Sequence, residues 1–343
     1  MFIIIYFFAD RFFISTLFCI FALEFIKTVL YMLSRRLLRL KVIKSLYAHI
    51  KSESDNLQAS EKSLVLSIDK TYELYIQMLG LIVDVARYAE ERQEIARQKK
   101  LPTYEDLNPN RKFVENVVVA RIAESEAVQS FLSKHSLGWG RYPELIKNIY
   151  NVLIQSPFYA KYMQSQSRSF KEDLQLVTDF YVNCLEDNEA LEEALEEQSI
   201  YWSDDLGYAL MVVVRTLSNM RESHEELRLQ PKFKSEEDLI FAKELFAKSA
   251  LQYGQNELYL DRFTHNWDVE RLAFMDKLIM SVAITEIVSF SSIPVKVSLD
   301  EYIELSKYYS SPTSSTFING VLDKAVEALT EEGKVKKAGR GLL

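Results

Sequence analysis

The sequence predicts an all-α fold, on two observations: chain breakers are scarce, and apolar residues recur at helical spacing. The 343 residues include nine Gly and seven Pro, and none of those Pro falls between Met1 and Leu101, between Phe158 and Gln230 or between Lys232 and Ile293. Turn-rich β architectures need such residues far more often. With 48% apolar residues the chain can bury a sizeable core, as one large domain or two smaller ones.

The first 31 residues are apolar, but Asp10, Arg11, Glu24 and Lys27 flank the uncharged run Phe12–Leu23. A bilayer-spanning helix of ~20 apolar residues is poorly matched by that pattern. Residues 2–9 carry no basic side chain, so a secretory signal is disfavoured. Residues 1–31 are therefore read as an apolar leader outside the native protein, with Met32 as the preferred start.

Ser34 is a good N-cap for the first helix, in which Leu38, Val42 and Leu46 stack at i, i+4 and i+8. Its opening turns hold Arg35, Arg36, Arg39, Lys41 and Lys44 with no acid, against the preference of the helix dipole. Those cations either face phosphates beside free backbone N–H groups or form a solvated helix start. A stripe through Ile68, Tyr72, Tyr75, Leu79, Ile82 and Ala86 predicts a second helix that continues to Lys100, its aromatics serving as core. After the loop around Pro102 and Pro109, helices are expected over 113–134, 143–155, 170–197, 204–221 and 235–264, with Pro157 and Pro231 in connections.

The final stretch predicts three more helices. Asn266 caps the first, whose Val269, Leu272, Met275, Ile279, Val282 and Ala283 should be largely buried. Ser298 and Glu301 are spaced as a capping box for the next, which runs through Tyr309. Thr313 or Ser314 caps the last, with Ile318, Val321, Leu322, Ala325 and Leu329 inward. Phe317 lies one position off that stripe, where a ring either stacks on an unpaired base or packs at an edge. Gly320 beside Asn319 is read as marking a tight contact.

Chemistry is hard to place on this chain. Cys19 and Cys184 are too few for a disulfide framework or a Cys-based metal site, none of the four His has a His at i+4, and the glycines form no phosphate loop. No catalysis, cofactor or metal is expected. The net charge of −8 argues against a surface that coats nucleic acid everywhere, although both ends are basic and the middle acidic. The acidic run from Glu186 to Glu197 is read as a solvated helix face in preference to a dock for a basic partner.

NWDVERLAFMDKLIM, IPVKVSLDEYIELSKYY and TFINGVLDKAVEAL, in that order and spacing, resemble the last three helices of the NusB family, and SRRLLRLKVIKSLYAH resembles its arginine-rich first helix. The resemblance implies a helical bundle with a large helical elaboration. It divides the chain into the leader 1–31, a basic first helix 32–50, an elaboration 51–261 that includes the replacement for the family's early helices, a module 262–331 and a basic tail 332–343. It further implies a cytoplasmic transcription antitermination factor that binds boxA RNA of ribosomal RNA operon transcripts with a small-subunit ribosomal protein acting as NusE, and reaches the elongating RNA polymerase complex indirectly, with no membrane partner. Arg35, Arg36 and Arg39 match the family's RNA-contacting motif, Phe317 its RNA-proximal aromatic, and Asp268, Glu270 and Asp276 the region turned toward the ribosomal protein. Met280 and Ser281 stand where the family often has an arginine, so the resemblance does not carry that arginine's role over to this chain. Two other readings compete: the RNA-docking half of a ribosomal RNA methyltransferase, disfavoured because no glycine-rich strand–helix pattern is present, and a scaffold that has lost RNA binding.

Overall fold

The structure, a computed structural model, describes residues 32–185, 188–264, 273–310 and 314–342. In chain order its helices are α1 (Arg35–Lys51), α2 (Leu57–Arg97), α3 (Tyr104–Leu107), α4 (Val117–Ala123), α5 (Glu126–Lys134), α6 (Pro143–Gln155), α7 (Pro157–Gln164), α8 (Phe170–Asn183), α9 (Glu189–Gln198), α10 (Leu206–Ser218), α11 (Glu236–Thr264), α12 (Phe274–Ser289), α13 (Val295–Tyr309) and α14 (Ser314–Glu331). A 3-10 turn follows at Gly339–Leu342, and no strand occurs among the described residues. The all-α expectation holds, and the alternating strands of a methyltransferase cofactor domain have no counterpart among those residues. The chain forms two compact units, one of Met32 with Asp69–Lys232 and the other of Leu33–Ile68 with Phe233–Leu343.

Where helix boundaries differ from expectation, a side-chain cap is often the reason. The second helix starts well before Ile68, at Leu57, because the Asn56 side chain accepts from the Ala59 N–H at 2.9 Å. The helix expected over 113–134 begins only at Val117, capped by Asn116, which accepts from the N–H groups of Val118 and Val119, and it breaks again at Glu124–Ser125 with no side-chain cap bond. Likewise 170–197 divides where Asn188 caps α9 by accepting from the Leu191 N–H. Asparagine offers the backbone an alternative to continuing a helix, which periodicity does not register. Pro157 opens a helix instead of lying in a connection: Ser156 caps α7, and proline suits the first helical position.

The unit of Asp69–Lys232 is built around α2, in which every residue from Glu73 to Val83 is buried. Trp139 Nε1 donates to the Gln77 carbonyl at 3.1 Å, Trp202 Nε1 to the Lys70 carbonyl at 2.7 Å, and the Tyr181 hydroxyl to the Leu79 carbonyl at 2.9 Å. Each uses the spare lone pair of a helical carbonyl, so three large rings are fixed on one helix without breaking its ladder. The Gln77 amide accepts the Gly138 N–H at 2.8 Å and donates to Gln198 at 3.2 Å. On α9 the carboxylates of Glu189, Glu192, Glu193, Glu196 and Glu197 are exposed while Leu191, Ala194 and Leu195 are buried, the solvated face that was expected. Glu186 and Asp187 lie outside the described residues.

In the other unit α1 packs against α11 and α12, and α14 packs on α11, α12 and α13. Leu38, Val42 and Leu46 are wholly buried, as are Ile279, Val282 and Ala283 of α12. Burial of α12 is continuous from Leu278 to Ile287, so it is a core helix on every side. Asn266, Val269, Leu272 and Thr313 lie outside the described residues.

Candidate nucleic-acid interface

The start of α1 is set by Ser34, whose hydroxyl accepts from the Leu37 N–H at 3.2 Å, as expected of an N-cap. The three arginines that follow each meet a carboxylate from another helix of the same unit. Arg35 is partly exposed; its Nε donates to Asp238 of α11 at 3.0 Å, and its guanidinium lies 5.0 Å from the Phe241 ring centre. Arg36, also partly exposed, grips Glu301 of α13 with two bonds, at 2.8 and 2.9 Å. That hydrogen-bonded carboxylate raises the guanidinium's affinity for its proton above that of an ordinary arginine.

Arg39 has a different environment. It is 3% exposed and donates through Nε and Nη2 to Glu286 of α12, both at 2.8 Å. Glu286 is fully buried and also accepts from the Ser298 hydroxyl at 2.7 Å and the Tyr302 hydroxyl at 2.9 Å, both on α13. Burial works against the Arg39 charge, yet the Glu286 carboxylate outweighs it, so the guanidinium holds its proton more tightly than usual. Burial, then the neighbouring Glu286 charge, pushes the Tyr302 phenol well above its ordinary range. Arg39 thus joins α1 to α12 inside the unit, and its guanidinium offers no face to a phosphate. Ser298 belongs to the same network: α13 begins three residues before it at Val295, so Ser298 is no cap, and its hydroxyl goes to Glu286.

At the last helix the inward stripe is as expected, and Phe317 is half-buried beside it. Gly320 does not mark a tight contact. It is exposed, and a side chain added there would meet nothing within 4 Å. Asn319 is exposed too, donating to Asp323 at 3.3 Å. Asp276 faces inward at 4% exposure, accepting from the hydroxyls of Ser310 and Ser314. Asp268 and Glu270 lie outside the described residues.

The basic tail is docked. Ala338 N–H donates to the Ser291 carbonyl at 3.0 Å, and Lys337 Nζ donates to the Phe290 carbonyl at 3.0 Å, at the C-terminal end of α12 where a cation suits the helix dipole. Burial pushes the Lys337 ammonium below the ordinary lysine range. Gly341 is required by this approach, since a Cβ there would stand 1.9 Å from the Ser291 carbonyl oxygen. No helix among the described residues is long and apolar enough to cross a membrane, and none of their His, Cys, Asp and Glu side chains cluster as a metal site.

Residues 207–327 match the model of the NusB family. That stretch is similar to the NusB family. The NusB match begins well before Arg262, where the sequence resemblance started its module, and takes in most of α10 and all of α11. The chain is 38% identical over 103 residues to the transcription antitermination protein NusB of Salinibacter ruber, covering 30% of this chain and 64% of that protein. It is 38% identical over 87 residues to the protein of that name from Chloroherpeton thalassium, covering 25% and 41%, and 40% identical over 73 residues to that of Natranaerobius thermophilus, covering 21% and 52%. The chain thus spans from 41% to 64% of the length of these NusB relatives. No solved structure matches it.

Glu286, which sequence reasoning missed, has a signal in the sequence. It is the lone acid inside the apolar run LIMSVAITEIVS, and a carboxylate there requires a buried cation.

Proposed function

We propose that this chain is a cytoplasmic transcription antitermination factor that binds boxA RNA of ribosomal RNA operon transcripts together with a small-subunit ribosomal protein in the role of NusE, and so acts on the elongating RNA polymerase complex. The observation that carries the reading is the similarity of residues 207–327 to the NusB family, with relatives that bear the name transcription antitermination protein. Local chemistry supports it. Arg35 and Arg36 stand partly exposed at the start of α1, where backbone N–H groups favour phosphate. Phe317 is half-buried in the first turn of α14, and the exposed Gly320 three residues along carries no side chain beside it. Arg39 is assigned to the fold, and Asp268 and Glu270 are carried over as partner contacts on family resemblance alone.

Titrating the full chain with boxA RNA across a salt series, with the ribosomal protein present, tests the phosphate contacts. Exchanging both Arg35 and Arg36 for alanine is expected to weaken binding and lower the slope of log K against log salt by about 1.4, since each single-strand phosphate contact contributes ~0.7. An unchanged slope removes both residues from the interface. Phe317→Ala should cost about 1–3 kcal/mol of binding if its ring stacks on a base. Undiminished affinity makes it a packing residue.

A further inference from the structure

We propose that Asp276 is a positioning residue for RNA binding: its carboxylate fixes the first turn of α14 and thereby the Phe317 ring. The inference rests on the RNA reading above and assigns to that site a residue that does not itself touch RNA. Asp276 sits in the first turn of α12, at 4% exposure. A carboxylate in such a place is costly unless its oxygens are satisfied, and here both are. Oδ2 accepts from the Ser314 hydroxyl at 2.9 Å, Oδ1 accepts from the Ser310 hydroxyl, and the two hydroxyls are 3.0 Å apart.

One side chain therefore ties together three elements: the start of α12, the residue that ends α13 and the residue that begins α14. The first turn of α14 contains no acid of its own, so the anion that complements its N-terminus comes from a neighbouring helix. Phe317 lies three residues after Ser314, on the same face one turn along. A ring that receives a base binds more tightly when it is held in place beforehand, because less ordering remains to be done on binding. The clamp also reaches toward the basic helix: Lys44 of α1 lies 5.2 Å from the ring of Tyr309, the residue before Ser310.

The test uses the full chain with boxA RNA and the ribosomal protein, comparing wild type, Asp276→Asn, Phe317→Ala and the double variant, with amide hydrogen exchange read over residues 315–318. Asp276→Asn keeps the shape but replaces an acceptor with a donor. It is expected to weaken RNA binding roughly threefold or more and to speed exchange in that turn, while adding no further loss to Phe317→Ala. Should Asp276→Asn fail to fold, Ser314→Ala, which removes one of the two bonds, carries the same expectations. A loss that adds in full to that of Phe317→Ala, or unchanged exchange, overturns the positioning role and leaves the RNA reading standing. Undiminished affinity in Phe317→Ala overturns the RNA role of the ring and this proposal with it.

Discussion

Replacing Arg39 with alanine is expected to cost about 3–5 kcal/mol of folding stability, because it strands the fully buried Glu286 without its counter-charge. Ser298 and Tyr302 would still donate to that carboxylate, but neither carries charge. Glu286→Ala should cost a similar amount for the converse reason, leaving a buried guanidinium unpaired. Combined, the two should cost clearly less than the sum of the single changes, since the double variant leaves no lone charge in the core. Urea unfolding of the four proteins checks this. Single changes that each cost under ~1 kcal/mol would show that the pair contributes little to the fold, contrary to the reading of Arg39 as an internal tie.

The second large effect is expected at Trp202. It is 2% exposed, and its indole both fills the space against α2 and donates to the Lys70 carbonyl at 2.7 Å. Truncation to alanine removes the packing and leaves a cavity, at about 3–5 kcal/mol. Trp202→Phe retains most of the packing and loses the hydrogen bond, worth only about 0.5–1.5 kcal/mol, so it should recover a large part of the stability. The same denaturation series separates the two contributions. Equal losses in both variants would mean that the hydrogen bond, and not the packing, fixes this ring.

Much of the fold was legible because helices announce themselves by period. The Ser34 cap, the Leu38–Val42–Leu46 stripe and the stripe of α14 all stand where the spacing puts them. The late start at Asn116 and the break at Asn188 were not legible, since a capping side chain acts over three residues and leaves the apolar period intact on both sides. Ser298 shows how a local motif misleads: its spacing to Glu301 fits a capping box, while the tertiary demand of Glu286 claims the hydroxyl.

The candidate site divides in the same way. Composition marked α1 as basic, but it could not show that Arg35, Arg36 and Arg39 meet Asp238, Glu301 and Glu286, three carboxylates more than two hundred residues away. Positive charge along the chain is therefore not positive charge in the fold, and a phosphate at Arg35 or Arg36 must compete with an acid already in place. One clue was present. Arg39 lies on the same helical face as Val42, Ile43 and Leu46, at i+3, i+4 and i+7, which is where a core residue belongs. Family resemblance puts Asp276 in the region turned toward the ribosomal protein, whereas the folded chain turns it inward onto Ser310 and Ser314.

The proposed boxA recognition is tested most directly by comparing boxA RNA with a scrambled RNA of equal length and composition, bound by the full chain with and without the small-subunit ribosomal protein. BoxA RNA is expected to bind more tightly than the scrambled RNA, and the ribosomal protein to widen the difference. Equal affinity for the two RNAs, with the ribosomal protein present, would contradict it.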